Sequence, residues 1–323
     1  MRPALTFLTC SSLCFAAAAP ACSGDSGHAD DALDASDTSP AADTGVADTG
    51  VADTGGADTG GGPFTPDFAS SPAVVRLQIN DFGTEGYYTT VKATLATAAQ
   101  PTVHAVDTEA GNCRLLVSVQ ALCEPSCVYP ELCTAQGTCQ AFPEPLSAGA
   151  LTLTDGVDAL TVPFDGYGYW LQSAGLPFAP GETVTVSAPG DAFPAFSAVA
   201  AMPDVLVAPG IYDVRLTTPG DLLFTWDPPT AGAPPAHVRI TLNAGYGHGL
   251  PLAAVVECDV PDTGSFAVPD ALRAALPPPS TWGCGECPES YLTRYRKVTV
   301  EAGDTALDLI VESPLRFYTA YPN

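Results

Sequence analysis

The sequence predicts an all-β chain: two β-sandwich domains of immunoglobulin-like build with a small disulfide-rich insert, preceded by a disordered tether. Two observations predict the sheets. Short runs of alternating apolar and polar residues recur between turn signals, and 32 prolines with 30 glycines punctuate a chain of 323 residues in which no long segment has helical periodicity. A third observation predicts the insert: Cys123, Cys127, Cys133 and Cys139 crowd into 17 residues, with Cys113 just before them.

The strands are expected at residues 76–80, 151–154, 160–164 and 183–186, then at 212–217, 238–242, 297–300, 307–311 and 317–320. Each alternates with period two, the mark of a half-buried strand. Residues 270–276 read as one short helix, closed by Pro277-Pro278-Pro279. The proline-rich stretch at 203–209 is the expected domain boundary. It gives a first sandwich over 63–204 with its insert at 113–140, and a second over 205–323.

Ahead of these lies a different kind of chain. Residues 1–21 have one charge, Arg2, and an apolar run too short to span a bilayer, as in a secretory signal. The small residues Ala19-Pro20-Ala21 then precede Cys22. This resembles the bacterial lipobox, and the resemblance implies diacylglycerol and palmitate on Cys22, with the membrane as partner through that lipid anchor. Ser23, where some bacteria place an inner-membrane retention Asp, points to the outer membrane. The other outcome of the same Ala-x-Ala site is cleavage that releases a soluble, secreted protein.

Residues 22–62 contain nine Asp, no Lys or Arg and no aromatic residue, with a five-residue Asp-Thr-Gly repeat starting at Ala42, Ala47, Ala52 and Ala57. Such a segment has too little apolar surface to offset its ordering entropy and is expected to be a disordered spacer. As a flexible coil its 41 residues span about 35 Å. One carboxylate per five residues is too sparse for a calcium loop. His28 also falls here.

Of 11 cysteines, Cys10 and Cys14 leave with the signal and Cys22 takes lipid, so Cys113, Cys123, Cys127, Cys133, Cys139, Cys258, Cys284 and Cys287 remain. The number is even, and an exported protein oxidises its thiols. Five lie in the first half and three in the second, so full oxidation requires an odd number of bridges between the halves. Zinc is the competing reading of Cys284-x2-Cys287 beside Cys258, but it needs thiolates that export disfavours. A thioredoxin-like role for that pair lacks the strand-to-helix setting.

The cysteine group, Glu131-Leu132-Cys133, the strand at 146–154, Phe224-Thr225-Trp226-Asp227-Pro228 and the stretch from Cys258 to Pro269 together resemble uncharacterised cysteine-rich surface lipoproteins of myxobacterial-type bacteria. The resemblance implies a β-rich surface lipoprotein and no particular activity.

The folded part carries the other 27 of 36 acidic residues against ten Lys and Arg. That excess excludes nucleic-acid binding and electrostatic docking on anionic headgroups. Asp262-Thr263-Gly264-Ser265 spells the aspartic-protease signature, but no second such loop follows in the folded part, and a tight turn explains it. Asp81-Phe82-Gly83 has none of the other kinase motifs with it. Gly-x-Ser-x-Gly is absent, and His104, His237 and His248 have no acid at metal-ligand spacing. His248, in a glycine-rich turn, is the histidine to watch.

Aromatic residues gather at Tyr87-Tyr88, at Tyr167, Tyr169 and Trp170, and at Trp282, Tyr291 and Tyr295. They can stack on sugars or pack a core. The expectation is therefore a noncatalytic envelope protein with no cofactor and no metal, acting in adhesion, scaffolding or capture of an envelope polymer or protein partner. A carbohydrate-binding module and a divergent secreted hydrolase are the alternatives.

Overall fold

The computed structural model describes residues 64–81, 86–119, 123–211, 213–216, 219–245, 252–277 and 289–320. The signal, the tether with Cys22 and His28, and also Phe82, Gly83, His248, Trp282, Cys284 and Cys287 lie outside the described residues.

The first strands are β1 (Ala73–Asp81), β2 (Tyr87–Thr94), β3 (His104–Ala110), β4 (Cys113–Ser118), β5 (Glu131–Cys133), β6 (Cys139–Ala141), β7 (Leu151–Thr154), β8 (Ala159–Val162) and β9 (Tyr169–Ala174). There follow β10 (Thr183–Ala188), β11 (Phe196–Ala201), β12 (Asp213–Arg215), β13 (Leu222–Thr225), β14 (His237–Gly245), β15 (Leu252–Pro261) and β16 (Ser265–Val268). After the helix α1 (Asp270–Ala275) come β17 (Ser290–Ala302) and β18 (Thr305–Ala320). The fold is all-β, and its one described helix is the one the sequence places at 270–276.

Ten strands form one sheet in the order β3-β4-β15-β14-β17-β18-β1-β2-β9, with β12 added beside β18. The hairpin of β17 and β18 forms its middle, 13 and 16 residues long. One face of the sheet is apolar across its central strands and backs two cores. In the first, Val75, Leu77 and Ile79 of β1 with Leu307, Leu309 and Val311 of β18 meet Leu151, Leu153, Val184 and Val186 of the four-stranded sheet β11-β10-β7-β8. In the second, Val238, Ile240 and Leu242 of β14, Leu292 of β17 and Phe317 of β18 meet Phe224, Val268 and Leu272 of the β13-β16 pair and α1. Full burial of each such side chain contributes about 1.5–3 kcal/mol, so a two-core sheet is strongly held in register.

The expected boundary at 204/205 does not divide this sheet. Strands β1, β2 and β9 from before it flank β18 from the end of the chain, and β4 pairs with β15. The cause lies in the last hairpin, whose strands are long enough to serve both cores. The proline-rich stretch at 203–209 marks a crossing between cores instead, with Leu206 and Ala208 packed in the second. The insert is also smaller than 113–140. Cys113 sits in β4, inside the large sheet, and the disulfide-stapled part is the β5-β6 hairpin with the loop before it.

Six of the eight candidate cysteines form three bridges: Cys123–Cys133 and Cys127–Cys139 within the insert, and Cys113–Cys258 between adjacent strands. The last of these joins the two groups of cysteines across a separation of 145 residues.

Candidate functional site

The opposite face of the large sheet is polar, because each apolar residue of β1, β14 and β17 alternates with one of the other kind. It presents Arg76, Gln78 and Asn80 from β1, Arg239 and Thr241 from β14, and Tyr291, Thr293 and Tyr295 from β17. Part of this face is covered by residues 64–72, the first described residues after the tether. The backbone N–H of Asp67 donates to Asp259 Oδ2 at 2.5 Å, and Arg239 donates to the carbonyl of Asp67 at 2.7 Å. Lys297 pairs with the Asp67 carboxylate at 2.5 Å and donates to the Ala69 carbonyl at 3.0 Å. The Ser71 N–H donates to Asp308 Oδ2 at 2.8 Å. Phe68 lies under the Arg114 guanidinium and Phe64 against the His237 ring. This strap leaves Asp259 and Asp308 almost wholly buried, at 0% and 1% exposure.

Burial alone would push the pKa of Asp308 up, but hydrogen bonds from Thr299 and Ser71 and the charge of Lys297 outweigh it and hold the carboxyl below its usual value. A carboxyl depressed in the folded state stabilises above its unfolded pKa of about 3.9, and that contribution is lost as pH falls through the lower folded value. The difference in thermal midpoint between wild type and Asp308→Asn is therefore expected to be full at neutral pH and to shrink as pH falls below about 4. A difference that stays constant down to pH 2 (roughly two units below the free carboxyl) would show that Asp308 does not hold the strap by its charge.

Beside the strap the polar face is open in two adjoining clefts. One, of about 430 Å³, is walled by Arg76, Lys92, Arg239, Glu257, Tyr295 and Glu312, with Tyr291 at its rim. The other, of about 280 Å³, shares Arg76 and Lys92 and adds Asp165, Tyr167 and Trp170. The register explains the continuity: Trp170 is opposite Lys92 on β2, and Lys92 is opposite Arg76 on β1.

The carboxylates in these clefts are already engaged. Glu312 accepts from Arg76 at 3.1 Å and from Gln78 at 2.7 Å, and Glu257 accepts from Arg114 at 2.6 Å. Asp165 caps its own turn, accepting from the N–H groups of Tyr167 and Gly168. The donors are less fully used. Lys92 is exposed and makes no ion pair among the described residues. Arg239 Nε is buried 3.5 Å from Glu257 Oε1 with no hydrogen-bond acceptor among the described residues. Burial works against the charge on Arg239, but Tyr295, Glu257, Asp259 and Glu312 outweigh it and raise its pKa. Burial, then the Glu289 carboxylate that its hydroxyl bonds, pushes Tyr291 up to about 12, and burial raises Tyr295 further, so both rings are neutral phenols at any ordinary pH.

The aromatic groups separate. Tyr169 is in the first core, with its hydroxyl donating to the Gly149 carbonyl, whereas Trp170 is 57% and Tyr167 86% exposed. Tyr295 is buried under the strap side of the face, where its hydroxyl donates to Asp259. His237 lies 3.2 Å from Asp259, and His104 Nε2 contacts the Leu252 carbonyl on another strand, so the described histidines do not converge. Asp262 follows β15 in a turn, its side chain 2% exposed and bound by Arg294 at 2.6 Å and by the Trp226 indole at 2.7 Å. Cys123, Cys127 and Cys139 have sulfurs within 4.8 Å of one another, but all three are in disulfides, which removes the thiolates zinc needs. The strap and the cation trio went unread in the sequence, since Arg76, Lys92 and Arg239 meet only through the sheet.

No protein-family model matches the chain, and no curated protein matches it in sequence.

Proposed function

We propose that the protein is a noncatalytic component of the cell envelope, held at the outer membrane by lipid on Cys22, whose large sheet offers its open polar face to an envelope polymer. The observation that carries the binding role is the pair of adjoining clefts, in which Lys92 and the rings of Trp170 and Tyr167 face solvent while the carboxylates are committed to structural bonds. Two features of the sequence support the anchor: small residues before Cys22, and the polar acidic stretch that follows it. The resemblance to cysteine-rich surface lipoproteins points the same way.

A carbohydrate-binding role is favoured by Trp170 and Tyr167, since sugar CH faces stack on exposed rings. A hydrolase is favoured by Glu257 and Glu312 standing in one cleft. Their guanidinium partners make structural ion pairs of both, which favours binding over cleavage.

Metabolic labelling with a fatty-acid analogue tests the anchor. Wild-type protein is expected to take up label and to fractionate with outer membrane, while Cys22→Ser takes up none and is released in soluble form. Unlabelled wild-type protein overturns the anchor.

A further inference from the structure

We infer that the two clefts are one elongated site for a carboxylated polysaccharide, a chain of uronic acid sugars laid across the strands. This deepens the binding reading above and rests on it. Four observations carry it.

The first is shape. From Trp170 on β9 to Arg239 on β14 the clefts cross β2, β1, β18 and β17, five strand steps of roughly 4.8 Å, or about 24 Å in all. That length suits several linked sugars. The second is the balance of hydrogen-bonding groups. The two clefts together hold three cations, Arg76, Lys92 and Arg239, against three carboxylates, Glu257, Glu312 and Asp165, in a folded part where acids outnumber bases by 27 to ten. The carboxylates all accept structural hydrogen bonds, so this locally balanced patch of an acidic protein leaves the Lys92 charge for an anionic ligand.

The third is an unspent donor. Lys92 is exposed and has no ion pair among the described residues. Its three N–H groups are open to acceptors from outside the chain. Carboxylate and ring hydroxyl oxygens of a uronate are acceptors of the required kind. The fourth is the end of the groove: Trp170, directly opposite Lys92, puts an exposed ring beside the free ammonium. A uronic acid presents both an apolar CH face and a carboxylate on one ring, so that corner can stack the first and pair the second. The acidity of the rest of the chain is no obstacle at short range, because at physiological salt charges are screened beyond about 8 Å.

The test is titration calorimetry of the mature, oxidised full chain with hexamers of galacturonate, mannuronate and hyaluronate, and with a carboxyl-reduced galacturonate hexamer as the neutral counterpart. At least one acidic hexamer is expected to bind roughly tenfold or more tightly than the neutral one, with affinity falling as salt rises. Trp170→Ala and Lys92→Ala are each expected to weaken it by roughly tenfold. Both side chains are exposed, so an unchanged thermal midpoint separates lost contact from lost fold. Equal binding of neutral and acidic hexamers overturns the uronate assignment and leaves the carbohydrate-binding reading standing. No binding by any of the four overturns both. Acidic binding untouched by either substitution overturns the placement of the site.

Discussion

Replacing Cys113 and Cys258 together by alanine is expected to lower the unfolding free energy by about 3–5 kcal/mol, the largest effect of any cysteine change in the described chain. The magnitude follows from loop length. Closing 145 residues removes, in the chain-entropy account, about 5 kcal/mol of freedom from the unfolded state. The insert bridges close ten and 12 residues and give about 3 kcal/mol each by the same account. Their effect is also local, since the β5-β6 hairpin pairs with no strand of the large sheet. Both Cys113 and Cys258 are buried in the second core, so alanine adds a small cavity cost to the entropic one. Guanidinium unfolding of the double variant beside the oxidised wild type measures the difference. A loss below about 1 kcal/mol would mean that the sheet alone closes the unfolded chain and that the bridge is ornamental.

Much of this fold was legible because many strands have one apolar and one polar face. Residues 76–80 and 238–242 alternate in sequence, and β1 and β14 bury every second residue accordingly. The helix at Asp270–Ala275 was legible from its own residues and from the three prolines at 277–279 that close it. β15 was not. Its pattern LAAVVECDVP is buried almost continuously, because the second core covers one face and the strap reaches Asp259 on the other, so no period of two survives. The two strands expected at 307–311 and 317–320 are one, since β18 runs through Pro314. The proline falls between the stretch of β18 that pairs with β1 and the stretch that pairs with β12, where on that edge a missing N–H costs no ladder bond.

The site was legible only in part, for a reason of topology. Trp170 and Tyr167 stand out as aromatic residues near a turn; Trp170 is exposed by the strand alternation that buries Tyr169, whereas Tyr167 is exposed because it sits in the turn before β9. Arg76 and Lys92 are paired by the β1–β2 hairpin, but Arg239, 163 positions after Arg76, joins them through a parallel pairing of β1 with β18, the first and last described strands. No local pattern records such a pairing. The inter-group disulfide was legible in one respect, by parity: five and three cysteines need an odd number of links between them. Which residues supply the link depended on β4 lying against β15.

The second large effect belongs to the turn at Asp262, where sequence and structure give opposite meanings to one aspartate. Arg294→Met is expected to destabilise the protein by about 3–5 kcal/mol, because it leaves the Asp262 carboxylate buried at 2% exposure with no countercharge. It also strips the donors from the carbonyls of Val205 and Asp227, which Arg294 now bonds at 3.1 and 2.6 Å. Asp262→Asn is expected to cost less, since an amide oxygen can still accept from Trp226, but it strands the guanidinium. The double variant Arg294→Met with Asp262→Leu should recover much of the loss, because a buried pair replaced as a whole leaves no unpaired charge. This pattern separates a structural knot from a catalytic group. A catalytic carboxylate is held at some cost to stability, and its replacement by the amide is commonly neutral or stabilising. Here the carboxylate joins the start of the second core to β17, so its loss should be felt as unfolding in a denaturant titration. Single variants at Asp262 and Arg294 that both keep wild-type stability would return Asp262-Thr263-Gly264-Ser265 to the list of candidate active sites.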